Sequence, residues 1–232
     1  MKTEISVIIP VLNEEKQIGE LIRYLTKHGE GFVSEIIISD GGSTDQTVPI
    51  AEELGAMVLT SSGRGRARQM NAGAGVASSQ ILYFLHADSL PPPTFCRDIA
   101  GEIKKGVDAG SFTLRFDTAH PALKLYSLFT HLPITAVRFG DQSLFVKRDL
   151  FEFIGGFKNE LIVMEDQQIV RDLKRNGKFV LIQKPVTTSA RKYKSVGVFK
   201  LQFIFTVIWT GYYLGVNQNT LRHIYQSLIR TE

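Results

Sequence analysis

The first hundred residues switch repeatedly between two hydrophobic patterns. Continuous apolar runs are typical of buried parallel strands, and such runs occur at 6–10, 35–39, 56–60 and 81–85. Apolar residues at helical spacing, with the usual N-cap and proline signals, predict helices over 14–28, from 43 or 44 to 54, over 66–77 and after the prolines at 91–93. The resulting β-α-β-α-β-α-β order predicts a parallel sheet with helices on both faces.

The second half of the chain has a less regular pattern. Strands are predicted over 110–116 and 142–146 with a helical segment between them, and a further strand over 179–182. A helix is predicted over 165–176, where Gly177 ends it. Because no linker composition separates the two halves, we predict one α/β domain with a mixed, mainly parallel sheet.

The segment over residues 198–216 is strongly apolar and has Lys200 as its one charged residue. A helix packed on the domain is the first interpretation. The second is a helix lying in a membrane interface, where aromatic anchors and lysines contact the lipid headgroups: Trp209, Tyr212, Tyr213, Lys192, Lys194 and Lys200. A membrane span is the third, because polar residues dilute the hydrophobicity of the segment.

Composition narrows the class of protein. The 232 residues suffice for one domain with a full core. A single cysteine, Cys96, excludes an internal disulfide and favours a reducing compartment, and the N-terminus shows no signal-peptide pattern, so we expect a cytoplasmic protein. The net charge of +4 permits anionic partners without requiring nucleic acid, and we expect no nucleic-acid partner.

Carboxylates stand at the ends of several predicted elements. Asp40 ends the second strand, Asp88 follows the fourth, and Glu165 and Asp166 lie at a helix start. An α/β protein with this arrangement often holds a metal ion and a phosphate-bearing substrate, with one acid left as a base. The glycine motifs of dinucleotide-binding folds and of P-loop proteins do not occur in the sequence, which argues against both classes.

Four motifs in order resemble the family 2 glycosyltransferases of the GT-A fold. They are SVIIPVLNEE at 6–15, EIIISDGGSTD at 35–45, HAD at 86–88 and ED at 165–166. The resemblance implies a Rossmann-like, three-layer α/β/α sandwich with a C-terminal helical tail. It divides the chain into a GT-A domain over 1–194, with a nucleotide-binding half (1–106) and an acceptor half (107–194), and an apolar helical tail over 195–232.

The resemblance implies a nucleotide site at the ends of the first two strands. Asp40 matches a position that binds the base of a nucleotide, typically uracil, so a UDP-sugar donor is expected. The alternative is a turn aspartate that binds its own backbone. Pro10, Asn13 and Glu14 match the loop that lines the nucleotide, although Glu14 could equally be an acid of a helix first turn.

Two basic segments could contact a diphosphate. Three arginines lie at alternate positions near a predicted helix start, and we favour Arg64 and Arg68, with solvated surface charge as the alternative for each. Arg191 and Lys192 belong to a basic segment after the last strand. That segment is predicted to be a mobile loop that closes over the diphosphate or meets anionic lipid.

The motif at 86–88 takes the place of the family's Asp-x-Asp. By resemblance, Asp88 is the ligand of a Mn²⁺ or Mg²⁺ cofactor that neutralises the diphosphate. His86 replaces the first acid of the motif. A histidine there can ligate Mn²⁺ or donate to a hydroxyl of the nucleotide, or it can be a strand-end residue with no role.

The resemblance also assigns the transfer chemistry. Asp166 is the implied base and Glu165 its support, with a plain helix N-terminal acid pair as the alternative. Gly140, Asp141 and Gln142 look like the acceptor-side loop, where Asp141 could orient the donor sugar or the acceptor.

These features predict a metal-dependent, inverting glycosyltransferase that moves a sugar from a nucleotide-sugar donor to a hydroxyl acceptor. The apolar tail suggests a lipid-linked acceptor and a peripheral contact of residues 191–216 with the cytoplasmic face of a membrane. A nucleotidyltransferase and a catalytically silent nucleotide-sugar-binding protein are the alternatives.

Overall fold

Eight strands form one sheet in the computed structural model of the protein, which describes residues 3–29, 31–61 and 65–229. The strands are Ile5–Val11 (β1), Val33–Asp40 (β2), Met57–Thr60 (β3), Ile81–Phe84 (β4), Ser89–Leu90 (β5), Ala109–Phe116 (β6), Leu144–Lys147 (β7) and Phe179–Thr188 (β8). The helices are Glu15–His28 (α1), Thr47–Glu53 (α2), Arg66–Val76 (α3), Phe95–Lys104 (α4), Pro121–Phe129 (α5), Arg148–Phe153 (α6), Glu165–Asn176 (α7), Arg191–Val196 (α8), Val198–Tyr213 (α9) and Gln218–Ile229 (α10). The sheet order is β3-β2-β1-β4-β7-β6-β8-β5.

The first half forms the parallel part of the sheet. β1 lies between β2 and β4 and is parallel to both, and β3 pairs in parallel with β2. Every residue of β1 is buried, because helices cover both of its faces. The predicted parallel arrangement is confirmed.

Two apolar layers sandwich this sheet. On one face, Val7 and Ile9 pack with Ile18 and Leu21 of α1. On the other face, Ile8 packs with Met70 and Ala74 of α3. Successive side chains of β1 therefore belong to opposite apolar layers, because they point to alternate faces of a pleated strand.

The second half makes the sheet mixed. β7 runs antiparallel to β4 and β6, whereas β6 and β8 are parallel. β8 continues to Thr188, beyond the predicted end at residue 182. A register shift against β6 leaves Gln183 and Lys184 unpaired between Ile182 and Pro185, and these two polar residues interrupt the apolar pattern of the strand. The strand predicted over 142–146 begins at Leu144, since residues 140–142 form a 3₁₀ turn.

The C-terminal residues fold back onto the domain as helices. Residues 191–196 form α8, so the mobile loop predicted there is wrong. The indole Nε1 of Trp209 donates to the carbonyl of Ala136 at 3.0 Å, and the hydroxyls of Tyr212 and Tyr213 bond side chains of α7. The predicted lipid anchors Trp209, Tyr212 and Tyr213 therefore contact the protein. None of the described helices has the length and apolarity to cross a membrane.

Candidate active site

Three potential metal ligands meet at the carboxyl edge of the sheet. His86 and Asp88 follow β4, and Asp141 lies in the 3₁₀ turn before the neighbouring strand β7. One ligand atom from each residue lies within 4.8 Å of the others. Two carboxylates and an imidazole at this separation form a set that a divalent cation can bridge.

His86 is held by Asp141 across 55 residues of sequence. Its Nδ1 lies 2.9 Å from Oδ1 of Asp141. Burial disfavours the charged imidazole, but the hydrogen bond and charge of Asp141 outweigh it, so the pKa of His86 is raised. The same contact lowers the pKa of Asp141 against the effect of its burial. The Nε2 atom of His86 is buried and has no hydrogen-bond partner among the described residues, which leaves it open to a ligand.

Asp88, the third potential ligand, lies beside Arg191 at the start of α8. Burial, reinforced by the charge of Asp141, raises the pKa of the Asp88 carboxyl group. Nη2 of Arg191 lies 3.5 Å from its Oδ2. The guanidinium of Arg191 also binds Glu14 in a bidentate manner, with N···O distances of 2.7 and 2.5 Å. The positively charged guanidinium of Arg191 therefore lies beside Asp88, the carboxylate to which the resemblance assigns a metal ion.

The acidic pair begins α7, at the rim of the same cleft. Met164, the N-cap of the helix, adopts a left-handed conformation with φ of 66°. His86, Phe139, Gly140 and Asp166 line one cleft. A Cβ on Gly140 would lie 2.6 Å from Oδ2 of Asp166 and 2.6 Å from Nε2 of His86. Gly140 therefore lets these two side chains approach each other across the loop.

Glu165 points inward and pairs with Arg66 of α3. Its carboxylate is 1% exposed, and Oε1 lies 2.9 Å from Nε of Arg66. Burial raises the pKa of Glu165, against the pull of the guanidinium. The charge of Glu165, with those of Asp166 and Asp141, raises the pKa of the Arg66 guanidinium against the effect of its partial burial. Arg66 is therefore a residue of the site that the sequence analysis did not select.

The other arginines of that segment are placed differently. Arg68 is two residues along α3, about 200° around the helix from Arg66, and its side chain is exposed. It makes no hydrogen bond or ion pair with any residue that the structure describes. Arg64, the other favoured arginine, lies outside the described residues. Between Arg66 and Arg68, the helical phase of α3 decides which side chain approaches Glu165.

The predicted nucleotide loop is tied together by its own polar groups. The carboxylate of Asp40 is almost fully buried and accepts hydrogen bonds from the backbone N–H groups of Gly42 and Ser43. Asn13 has a positive φ of 56°, and its Oδ1 accepts from the N–H of Thr44 at 2.8 Å. The turn-capping alternative for Asp40 is thus part of the structure.

The remaining predicted residues separate into two groups. Pro10 is buried within β1, whereas Gly140 lines the cleft and Asp141 bonds His86, which also lines it. Gln142 is buried and bonds the backbone of Val137, so it holds the loop together. The ammonium of Lys192 bonds the hydroxyl of Tyr225 in α10.

Comparisons with known proteins identify the family and the fold of the chain. A family model described as Glycosyl transferase family 2 matches residues 6–150. Glycosyltransferase AglE of Haloferax volcanii is 27% identical over 173 residues, which cover 68% of this chain and 57% of AglE. This chain therefore spans little more than half the length of that relative.

Two solved structures show the same fold. S. aureus TarS superposes with a TM-score of 0.66 at 19% identity, over 86% of this chain and 64% of the TarS chain. Glucosyl-3-phosphoglycerate synthase from Mycobacterium tuberculosis, in complex with Mn²⁺, UDP and glucosyl-3-phosphoglycerate, gives 0.59 at 20% identity, over 81% and 70% of the two chains. The predicted GT-A architecture is confirmed. Because the family model covers more than half of the sequence, this chain belongs to glycosyl transferase family 2.

Proposed function

We propose that the protein transfers a sugar from a nucleoside-diphosphate donor, a UDP-sugar, to a hydroxyl acceptor with inversion at the anomeric carbon. The observation that carries this proposal is that His86 belongs both to a possible metal-ligand set with Asp88 and Asp141 and to the lining of a cleft that it shares with Asp166. A metal-ligand set with a separate carboxylate beside it matches the needs of a charged leaving group and an acceptor proton.

The donor set fits a divalent cation. His86, Asp88 and Asp141 would hold it, and the mixture of imidazole nitrogen and carboxylate oxygen favours Mn²⁺ over the all-oxygen shell that Mg²⁺ prefers. The buried, unpartnered Nε2 of His86 supports a ligand at this place. When bound, the metal would supply positive charge to the diphosphate leaving group.

Asp166 is proposed as the general base. Its carboxylate reaches the cleft beside Gly140 but is not one of the three metal ligands, so it is free to accept the proton of an acceptor hydroxyl. Glu165 is turned inward to Arg66, and we assign it a supporting role in fixing the start of α7. Arg66 presents its half-exposed guanidinium toward the charged end of the donor.

UDP is proposed as the nucleotide on two grounds. Asp40 lies at the end of β2, where it shapes the turn that receives the base, and Asn13 joins that turn to the end of β1. Glucosyl-3-phosphoglycerate synthase, which shares the fold, was solved with UDP and Mn²⁺. Arg191, which already pairs with Glu14 and approaches Asp88, is positioned to exchange these carboxylates for the diphosphate.

The acceptor is proposed to be a hydroxyl compound, and a lipid-linked acceptor remains the more specific form of the proposal. Part of the segment 191–216 supports a membrane contact, since Phe199 and Phe203 of α9 are 73% and 63% exposed. Trp209 and the two tyrosines do not add to this support, because they contact the domain.

The reaction products test the proposed function. The protein would be incubated with UDP-sugars and Mn²⁺, with and without a panel of hydroxyl acceptors that includes lipid extracts, and the released nucleotide identified. We expect UDP, together with a glycosylated acceptor or free sugar, and neither from the Asp88→Ala variant. Pyrophosphate as product would indicate a nucleotidyltransferase, and binding of UDP without turnover would indicate a silent binding protein.

A further inference from the structure

A concentrated set of exposed apolar side chains lies on α5 and the segment that follows it. Among the described residues, fifteen large hydrophobic side chains are exposed, and six of these fall within residues 125–139. They are Leu125, Leu128, Phe129, Leu132, Ile134 and Phe139. We call these six residues the apolar face. Large apolar groups concentrated in this way on a protein surface mark a site of interaction.

The chain around this face contains no acidic residue. Residues 118–140 carry no Asp or Glu, and neither do residues 173–231, which hold ten of the 27 Lys and Arg. Outside these two segments the chain has 15 Lys and Arg against 23 Asp and Glu. The modest net charge is therefore the sum of two basic segments and an acidic remainder of the chain.

Several of these basic residues are free to act on a partner. Lys124 lies on α5 beside Leu125, and Lys194 and Lys200 lie on α8 and α9; all three are exposed. No carboxylate lies within 4.0 Å of their ammonium groups in the part of the chain that the structure describes. Their positive charge is thus uncompensated.

One end of the apolar face and helix α8 reach the candidate active site, the helix through Arg191, which lies 3.5 Å from Asp88. Phe139 lines the cleft that contains Asp166, and it directly precedes Gly140. The bond from Trp209 to Ala136 attaches α9 to the same segment, and Tyr193 of α8 makes ring contacts with Phe116 and Phe205. A surface seated on the apolar face would therefore present its molecules at the mouth of the cleft.

We propose that the apolar face, with Lys124, Lys194 and Lys200, binds the surface of a membrane that contains anionic lipids. Apolar side chains enter the boundary between headgroups and acyl chains, while lysines bind the anionic headgroups. The membrane-contacting surface of the protein differs from the one predicted from the sequence. Its apolar contacts come from α5 and residues 130–139 instead of Trp209, Tyr212 and Tyr213. The proposal deepens the proposed function. Membrane binding itself does not depend on that function; only its role in delivering a membrane-held acceptor rests on it.

A second copy of the chain fits this surface less well. An isologous dimer would bring the same acid-free segments of two copies together, so that uncompensated lysines would face one another. Like charges without intervening acids oppose such association, whereas an anionic lipid surface attracts each of them.

Vesicle binding tests the proposal independently of turnover. The intact protein would be sedimented with vesicles of phosphatidylcholine alone and with vesicles that also contain phosphatidylglycerol. We expect binding to the second, weakened by salt. The double variants Leu125→Glu/Leu128→Glu and Lys194→Glu/Lys200→Glu should each weaken it about tenfold or more.

Matched controls separate the surface from general effects of charge. Phe153→Glu replaces a 75% exposed phenylalanine on α6, and Lys16→Glu/Lys104→Glu reverses two exposed lysines outside the acid-free segments. Both should bind vesicles as wild type does, and all variants should retain UDP binding in solution.

Three results would overturn the proposal: no binding to anionic vesicles, equal binding to both vesicle types, or binding that survives both double variants. A dimer in solution that Leu125→Glu/Leu128→Glu dissociates, in a protein that binds no vesicles, would assign the face to a second copy. Failure of the wild type to bind UDP would contradict the proposed function and leave the vesicle result intact.

Discussion

Nε of Arg66 lies 2.9 Å from Oε1 of Glu165, and this contact joins the start of α3 to the start of α7. Glu165 is the buried partner, and it forms no other ion pair within the described chain. The first and second halves of the chain are therefore connected through a charged pair in which one member is half exposed.

Replacing Arg66 should leave the buried carboxylate of Glu165 without its positively charged partner. Arg66→Ala is expected to lower the free energy of unfolding by about 1–3 kcal/mol, because the carboxylate of Glu165 loses its one charged partner. Adding Glu165→Gln to that variant should recover part of the loss. Chemical denaturation of the two single variants and the double variant measures the coupling. Strictly additive effects would show that the pair contributes nothing.

Replacing the proposed base should separate chemistry from donor binding. Asp166→Asn keeps the size of the side chain but removes its basicity, and we expect transfer to fall by about 10²–10⁴-fold. The affinity for UDP and Mn²⁺ should stay unchanged, since Asp166 is outside the metal-ligand set. Asp172→Asn, on the same helix, is the matched control and should be nearly as active as wild type. Activity of Asp166→Asn close to wild type would assign the base elsewhere.

A methyl group at Gly140 should disturb the site without unfolding the domain. Gly140 does not have a positive φ, so the backbone accepts alanine, but the new Cβ would lie 2.6 Å from both Asp166 and His86. We expect Gly140→Ala to lose transfer at least about tenfold while its melting temperature changes little. In the control Gly101→Ala, the new Cβ meets open space within α4, and stability should rise by about 0.5–1 kcal/mol. A fully active Gly140→Ala would show that His86 and Asp166 need not be close.

Lowering the pH should remove the stabilisation that the ionised carboxylate of Glu35 gives at the amino-terminal end of the parallel strands. Burial would raise the pKa of Glu35, but hydrogen bonds from Ser6 and Ser78 outweigh it, and the pKa is lowered. A carboxyl group with a depressed folded-state pKa stabilises the fold above its unfolded value, and this contribution disappears as pH falls through the folded value.

Glu35→Gln should therefore be about 1–3 kcal/mol less stable than wild type at pH 7. The difference should shrink as pH drops below about 4.5, the range in which a glutamate of the unfolded chain titrates. Urea denaturation of both proteins across this range measures it. A difference that is independent of pH would show that the ionised carboxylate of Glu35 is not what the serines stabilise.

The parts of the fold that rest on local pattern were predictable. β1 and β4 are buried along their whole length and β2 along its second half, and the limits of all three differ from the prediction by a few residues. The end of β8 was missed because polar residues at a register shift interrupt the pattern. α8 was taken for a loop, since six residues rich in charge carry no apolar periodicity.

The site divides in the same way. Asp88 and Asp166 could be selected because motifs mark them, and their roles stay predictions. Arg66 was missed because the choice among three arginines depends on the phase of α3, and the contact of His86 with Asp141 is a long-range pairing that no local pattern encodes. Periodicity also could not show that the apolar residues of 125–139 are exposed, since exposure depends on which elements pack against them.

Calorimetric titration of UDP tests the central claim, that a metal-dependent nucleotide site lies at His86, Asp88 and Asp141. UDP, GDP and dTDP would each be titrated into wild type and Asp88→Ala, with and without Mn²⁺. The account predicts tight binding of UDP that requires Mn²⁺ and is lost in Asp88→Ala. Absence of binding by all three nucleotides, or binding unaffected by both the metal and the variant, would contradict it.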